Sequence, residues 1–375
     1  MILHLVSDHF VTNTCLRIFR EKLPGQNIVL VFKHFGHQVN GDYVVTDQNS
    51  AKIASQIDFS QITYVVISFY TRKKALFIKR YIPSRIPVIW WTYGVDLYVS
   101  LSRRGYPVFY SDPDKYRFGG KMLWPFYKMI WSPLSHIYNK NIQEIVINRL
   151  KGFVPCISPE YDLLRKYVNK DFNPIHIHPY GASFKFDGRF SEGNDIALGH
   201  SASISDNHLY VLKYLENLNL GKSDLYITLS YSNKVPKYTE EVKRKYKKAY
   251  GEKVHLIETM MSKEDYFESQ FRYKMMILPS WRQEALDNIY ICLQIGIKLV
   301  LSDRSIVFQY LKEYGFYVYA LEKMDQNCLD TPLTLEEKKH NQQLFVKFVE
   351  ERKRNYYSDF EKYFMSTETE YGCQQ

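Results

Sequence analysis

Short apolar runs alternate along this chain with stretches of helical spacing. Residues 2–6, 28–32, 62–68 and 87–91 carry the continuous apolar pattern of buried strands, and 153–158 and 175–178 extend the series. Between them, 14–22 and 71–81 have apolar positions at the period of a helix. A polar stretch over 183–194, with Gly188 and Gly193, reads as a linker. The alternation then restarts, with strands predicted at 195–198, 225–229, 254–257, 274–278 and 298–301 and helices at 207–218, 263–271 and 288–295. Alternating strand and helix signals predict parallel sheets covered by helices on both faces. The pattern therefore predicts an α/β chain of two Rossmann-like, doubly wound domains, 1–182 and 195–330, followed by a charged helical tail over 331–375.

Such sheets bind ligands in the loops that follow their strands. The loop after the first predicted strand of the second half reads GHSASISDNH from Gly199. Gly199 allows a tight turn, Ser201, Ser203 and Ser205 offer hydroxyls, and Asn207 opens a helix. Free N–H groups at that helix start suit a diphosphate, and capping by Ser205 or Asp206 is the structural alternative. After residue 278 comes WRQEALDN, where Arg282 can fork onto phosphate, Glu284 can accept from sugar hydroxyls, and Asn288 faces the same loop or caps the helix. Tyr231 follows one predicted strand. Met261 follows another, beside a capping-box pair, Ser262 and Asp265, and can pack on a nucleobase or belong to the core. In the first half, Asp8 and His9 follow the first strand, and Asp96 follows the fourth within WWTYGVDLY. These three are the candidates for receiving or orienting an acceptor hydroxyl, with helix capping the alternative for Asp96.

Charge and aromatic content narrow the partners. The 375 residues carry a net charge of +10, with 32 Tyr and 23 Phe. A basic surface attracts phosphate of any kind, but no basic tail, zinc finger or RNA-binding signature points to nucleic acid, and none is expected as a partner. Residues 100–135 interleave aromatics with Arg103, Arg104, Lys115, Arg117, Lys121 and Lys128, a composition that suits peripheral contact with an anionic membrane or an insertion packed on the domain. The N-terminus lacks a signal-peptide pattern and no apolar run reaches eighteen residues, so a cytoplasmic protein, peripheral on the inner face of the membrane, is expected. The five cysteines form no C-x-x-C pair and read as inert thiols, Cys292 in the core.

Several blocks in order carry a family resemblance. They are SDHF after the first strand, WTYGVDLY, LGHSASISDNH, LSYSN at 229–233, MSKEDY, and RQEALDN through QIGIKLVLS. Over residues 1–325 the chain resembles the 4-acetamido-4,6-dideoxygalactose (Fuc4NAc) transferase family of enterobacterial common antigen synthesis. The resemblance implies a GT-B glycosyltransferase fold, two Rossmann-like domains facing across a cleft. It implies a dTDP-linked amino-deoxyhexose donor, a nucleotide-sugar serving as substrate rather than cofactor, and an undecaprenyl-diphosphate-linked glycan as acceptor. Such folds commonly need no metal, and no metal or cofactor is expected. Two other readings stand beside this one: a polyol-phosphate transferase using a CDP-linked donor, and a non-catalytic glycan- or lipid-binding protein.

Overall fold

The computed structural model describes residues 1–118, 132–179, 184–231 and 235–366. Much of the basic aromatic segment, 119–131, and residue 183 of the expected linker lie outside the described residues. The chain separates into two compact units. The first holds the described residues of 1–106, 127–180 and 351–375, and the second those of 107–126 and 181–350.

The first unit is built on a sheet of seven strands: β1 (Ile2–Ser7), β2 (Asn27–Phe32), β3 (Tyr43–Val45), β4 (Tyr64–Ser68), β5 (Val88–Trp91), β6 (Leu150–Val154) and β7 (Asn173–Pro174). Their order is β3-β2-β1-β4-β5-β6-β7, and every pairing is parallel. Strands covered on both faces have no polar side to show, which is why β4 and β5 read as apolar runs and β1 is broken only by the buried His4. One face packs Ile2, Val66, Ile89, Trp91 and Val154 against Ile18 and Phe19 of the helix Thr12–Lys22, and against Tyr356 and Phe360 near the end of the long helix Leu335–Phe360. His176 and Asp359 join that helix to the strand side through a 2.9 Å ion pair.

The second unit has six strands: β8 (Asp195–Leu198), β9 (Leu225–Thr228), β10 (Val254–Ile257), β11 (Tyr273–Leu278), β12 (Lys298–Leu301) and β13 (Tyr319–Ala320). The order is β10-β9-β8-β11-β12-β13, again parallel throughout. The segment over 107–118 packs here, with Tyr116 in the core against Tyr238. The stretch expected as a linker is partly built in as well. Buried Ser191 donates through Oγ to the carbonyls of Phe271 and Tyr273, and its own carbonyl accepts from Lys338.

In each sheet the chain starts in the middle, moves out to one side, and returns to add strands on the other. The reversal lies between β1 and β4 in one unit and between β8 and β11 in the other. Loops at the carboxyl ends of those neighbouring strands diverge, and the opening between them is where such sheets bind ligands.

Several elements differ from the sequence reading. The helix Pro236–Tyr250 was not anticipated, because its polar face is dense in Lys and Glu while only Tyr238, Thr239, Val242 and Tyr246 are buried. The edge strands β3 and β13 are too short to show a period. The last strand of the first sheet falls at Asn173–Pro174 rather than 175–178, since only Gly152 and Phe153 of β6 offer it partners.

Candidate functional site

At the β8/β11 reversal, the loops 199–207 and 279–285 meet around one carboxylate. Asp206 is fully buried, and it folds back on its own loop rather than capping the following helix. Its Oδ2 accepts from the backbone N–H of His200 at 2.7 Å and of Ser201 at 2.9 Å. Its Oδ1 lies 3.1 Å from Nδ1 of His200 and accepts from Ser280 Oγ at 3.3 Å. Gly199 makes this turn possible. Its φ is +70°, and a Cβ there would lie 2.5 Å from His208 Nε2 and 2.8 Å from Asp206 Oδ2.

This folding back corrects one expectation. The loop was expected to offer free N–H groups to an anion. Instead, the amides of Gly199, Ala202, Asp206 and Asn207 donate to backbone carbonyls. Those of Ser203 and Ser205 donate to Ser201 Oγ and Ser203 Oγ. With the His200 and Ser201 amides on Asp206, most amides of this loop are engaged within the protein, and side chains add the attraction for an anion.

Those side chains are present. Arg282 is largely buried, ion-paired with Glu284, and 3.2 Å from Ser205 Oγ. Glu284 also accepts from Ser280 and, at 3.4 Å, from Ser205. His200 Nε2 is 3.8 Å from Glu284. Burial alone pushes the His200 imidazole down, but the charge and hydrogen bond of Asp206 outweigh it and hold His200 above its ordinary value. Asp206 is the reverse case: burial pushes it up, while His200 and His208 hold it well below the carboxylate range. His208, fully buried, is pushed down by burial, against the opposing charge of Asp206. The result is a charge-balanced network in which Arg282 and His200 face two carboxylates.

His200, Asp206 and Glu284 place one ligand atom each within 4.8 Å of one another, a spacing that suits a metal ion. Arg282 pairs with Glu284, and His200 and two amides engage Asp206, so each of the three side chains also has a protein partner here. The chain has an Asp-x-Asp triplet, Asp112-Pro113-Asp114. There Asp112 Oδ1 accepts from the Asp114 amide and opens the short helix Pro113–Phe118.

The remaining residues expected on the donor side separate into two groups. Tyr231 (46% exposed) and Met261 (40% exposed) lie on the loops after β9 and β10, at the carboxyl ends of the strands, as the network does. Asn288 is half-buried in the first turn of the helix Leu286–Ile295. Asn207 turns elsewhere: its side chain accepts from the Tyr110 amide and donates to the Val108 carbonyl, tying down the 107–118 segment. Ser262 caps its helix as expected, accepting from the Asp265 amide at 3.1 Å.

In the first unit, Asp8 and Asp96 both serve the backbone. Asp8 accepts from the amides of His34, Phe35 and Gly36. Asp96 accepts from the Tyr70 and Tyr93 amides, Trp90 Nε1 and Thr92 Oγ1. Both are buried. His9 is half-buried, its Nδ1 receiving the Val11 amide at 3.3 Å, which leaves Nε2 as the nitrogen that carries the proton. Lys74, missed in the sequence because it sits in an otherwise ordinary helix pattern, is completely buried. Its Nζ donates to Ser7 Oγ, Ser68 O and Phe69 O, directly beneath the β1/β4 reversal.

No family model matches the chain, and no curated protein matches it in sequence. Solved structures match its fold over nearly the full length. A trehalose-phosphate synthase (UDP-forming) from Burkholderia vietnamiensis superposes with a TM-score of 0.60 at 8% identity, over 96% of this chain and 98% of the other. A glycosyltransferase from Rickettsia africae gives 0.55 at 11% identity, over 97% and 99%. An O-GlcNAc transferase from Thermobaculum terrenum gives 0.55 at 12%, over 96% and 66%. The chain has the GT-B glycosyltransferase fold.

Proposed function

We propose that the protein is a nucleotide-sugar-dependent glycosyltransferase whose second unit holds the donor diphosphate at the β8/β11 loops. The observation that carries this reading is that Arg282 and His200, both largely buried, converge on Glu284 at the β8/β11 reversal, where the loops diverge. When a diphosphate enters, the Arg282 guanidinium is in position to exchange its bond to Glu284 for phosphate oxygens. Glu284 is then free to accept from sugar hydroxyls. As the bond from the anomeric carbon to the diphosphate breaks, negative charge grows on the departing oxygen, and Arg282 and protonated His200 stabilise it there. Tyr231 and Met261 are the candidates for covering the base. The acceptor hydroxyl, which supplies the new bond to the anomeric carbon and gives up its proton to the departing diphosphate, is assigned to the first unit, near His9.

The finer reading follows the sequence resemblance: a dTDP-linked 4-acetamido-4,6-dideoxyhexose donor and an undecaprenyl-diphosphate-linked glycan acceptor, reached from the inner membrane face. Among the described residues no helix is long and apolar enough to cross a membrane, so contact of this kind would be peripheral. Thermal stabilisation by dTDP, UDP, GDP and CDP, with and without Mg²⁺, tests the proposal. Selective, metal-independent stabilisation by dTDP or UDP supports it and names the base. Stabilisation by CDP alone favours a polyol-phosphate transferase, and no stabilisation by any nucleotide overturns the donor site.

A further inference from the structure

The loops after β1, β2, β4 and β5 gather a set of rings around His9. Between centroids, His9 lies 4.3 Å from Phe10, 5.0 Å from Phe35 and 5.3 Å from Tyr93, and it stacks on Phe69 at 6.2 Å with 9° between the planes. Phe35 stands edge-on to Phe69 at 5.1 Å, and His37 closes on Phe10 at 6.0 Å. Although they pack on one another, Phe10 is 60% and Phe35 39% exposed. Burying a Phe side chain is favourable, and these two forgo part of that gain.

The arrangement is braced from below. Asp8 draws the amides of residues 34–36 onto its carboxylate and so fixes Phe35 beside His9. Burial pushes Asp8 up, but those amides outweigh it and keep the carboxylate ionised. Phe69 has a φ of +57°, a left-handed conformation that is unfavourable for a residue with a Cβ. It is held there by the Trp91 carbonyl, which takes its N–H, and by Lys74, which donates to its carbonyl.

We propose that this cradle binds the saccharide ring of the acceptor. The apolar face of the sugar lies on Phe10 and Phe35, and its hydroxyls meet the imidazoles of His9 and His37. This proposal rests on the transferase reading above. A pyranose has one face of C–H groups and a rim of hydroxyls, which matches exposed rings edged by nitrogen donors and acceptors. With Nδ1 engaged by Val11, His9 presents Nε2–H to a ligand oxygen. The Lys74 ammonium is turned inward onto three oxygens and offers no charge to a phosphate. Burial, and then the neighbouring His37, push His9 down to about 4, so its ring is neutral at physiological pH. An isoprenoid chain would want a continuous apolar groove, and here imidazoles interrupt the rings.

Saturation-transfer NMR on the full chain tests this, with methyl glycosides of glucose, galactose, mannose and N-acetylglucosamine as probes and farnesyl phosphate as a further arm. We expect at least one glycoside to receive saturation, concentrated on the C–H protons of one ring face. Phe10→Ala with Phe35→Ala should cut it at least fivefold, and Phe10→Trp should retain it. Thermal stabilisation by nucleotide should be the same in all variants. Absence of transfer to every glycoside, transfer unchanged in the double variant, or transfer to farnesyl phosphate alone would each overturn the cradle. If the glycosides bind but no nucleotide stabilises the protein, the transferase reading fails while the sugar site stands.

Discussion

Gly199 and Asp206 are placed so that a single methyl group on the first would collide with the carboxylate of the second, 2.8 Å from its Oδ2. The left-handed backbone at Gly199 adds its own cost, about 1–2 kcal/mol for a residue with a Cβ. Gly199→Ala is expected to lower the stability of the second unit by about 2–4 kcal/mol and to weaken nucleotide binding by at least tenfold. Chemical denaturation together with nucleotide titration measures both. An alanine variant with native stability and affinity would mean that the Asp206 turn is not needed.

Arg282 should matter to chemistry more than to folding. Arg282→Ala is expected to reduce kcat/KM on the order of 100-fold, or roughly 2–3 kcal/mol of transition-state stabilisation. Arg282→Lys should recover only part of this, because an ammonium cannot bond a diphosphate in the forked geometry of a guanidinium. Since removing Arg282 also strands Glu284, the pair with Glu284→Gln separates the two effects. Full activity in a folded Arg282→Ala would remove this residue from the donor site.

The His200–Asp206 pair predicts a pH dependence. His200 is raised in the folded protein, so its contribution is complete below its ordinary value of 6.5 and is lost as pH rises through the folded value. Asp206 is lowered, so its contribution is present above the usual carboxylate value near 3.8 and is lost as pH falls through the folded one. The pair is therefore at full strength between about pH 4 and 6.5. Melting temperature and nucleotide affinity should both decline as pH rises above 6.5 and through the raised His200 value. His200→Gln should flatten that decline. A variant with the wild-type pH profile would contradict the assignment.

Asp96 gives a test of acceptor-side chemistry. Four donors converge on its buried carboxylate. Asp96→Ala should destabilise the first unit by about 3–5 kcal/mol, since buried donors are left without an acceptor. Asp96→Asn, which keeps the shape, should hold kcat within about tenfold of wild type once folded. A thousandfold loss of kcat in a stable Asp96→Asn would instead make this carboxylate the base.

Much of the architecture was legible because parallel strands buried on both faces leave unbroken apolar runs. β1, β5, β8, β10 and β12 fall within a residue or two of where those runs place them. The loops after β1, β5, β8 and β11 were legible for the same reason, since a loop follows wherever such a run stops. What those loops do was not legible. Ser205 and Glu284 are 79 positions apart in sequence and meet only because β8 and β11 are neighbours in the sheet. Asp206 looked like a helix cap because its spacing allows one. Only the folded loop, turned at Gly199, shows it receiving two amides and His200 instead. Asn207, Asp8 and Asp96 carry the residue types of a binding site, yet each is engaged with backbone groups brought from distant positions. Local pattern determined the strands, the helices and the ends at which loops gather. Tertiary pairing decided which charges meet there, because an ion pair between distant residues depends on strand order, and strand order leaves no local trace in the chain.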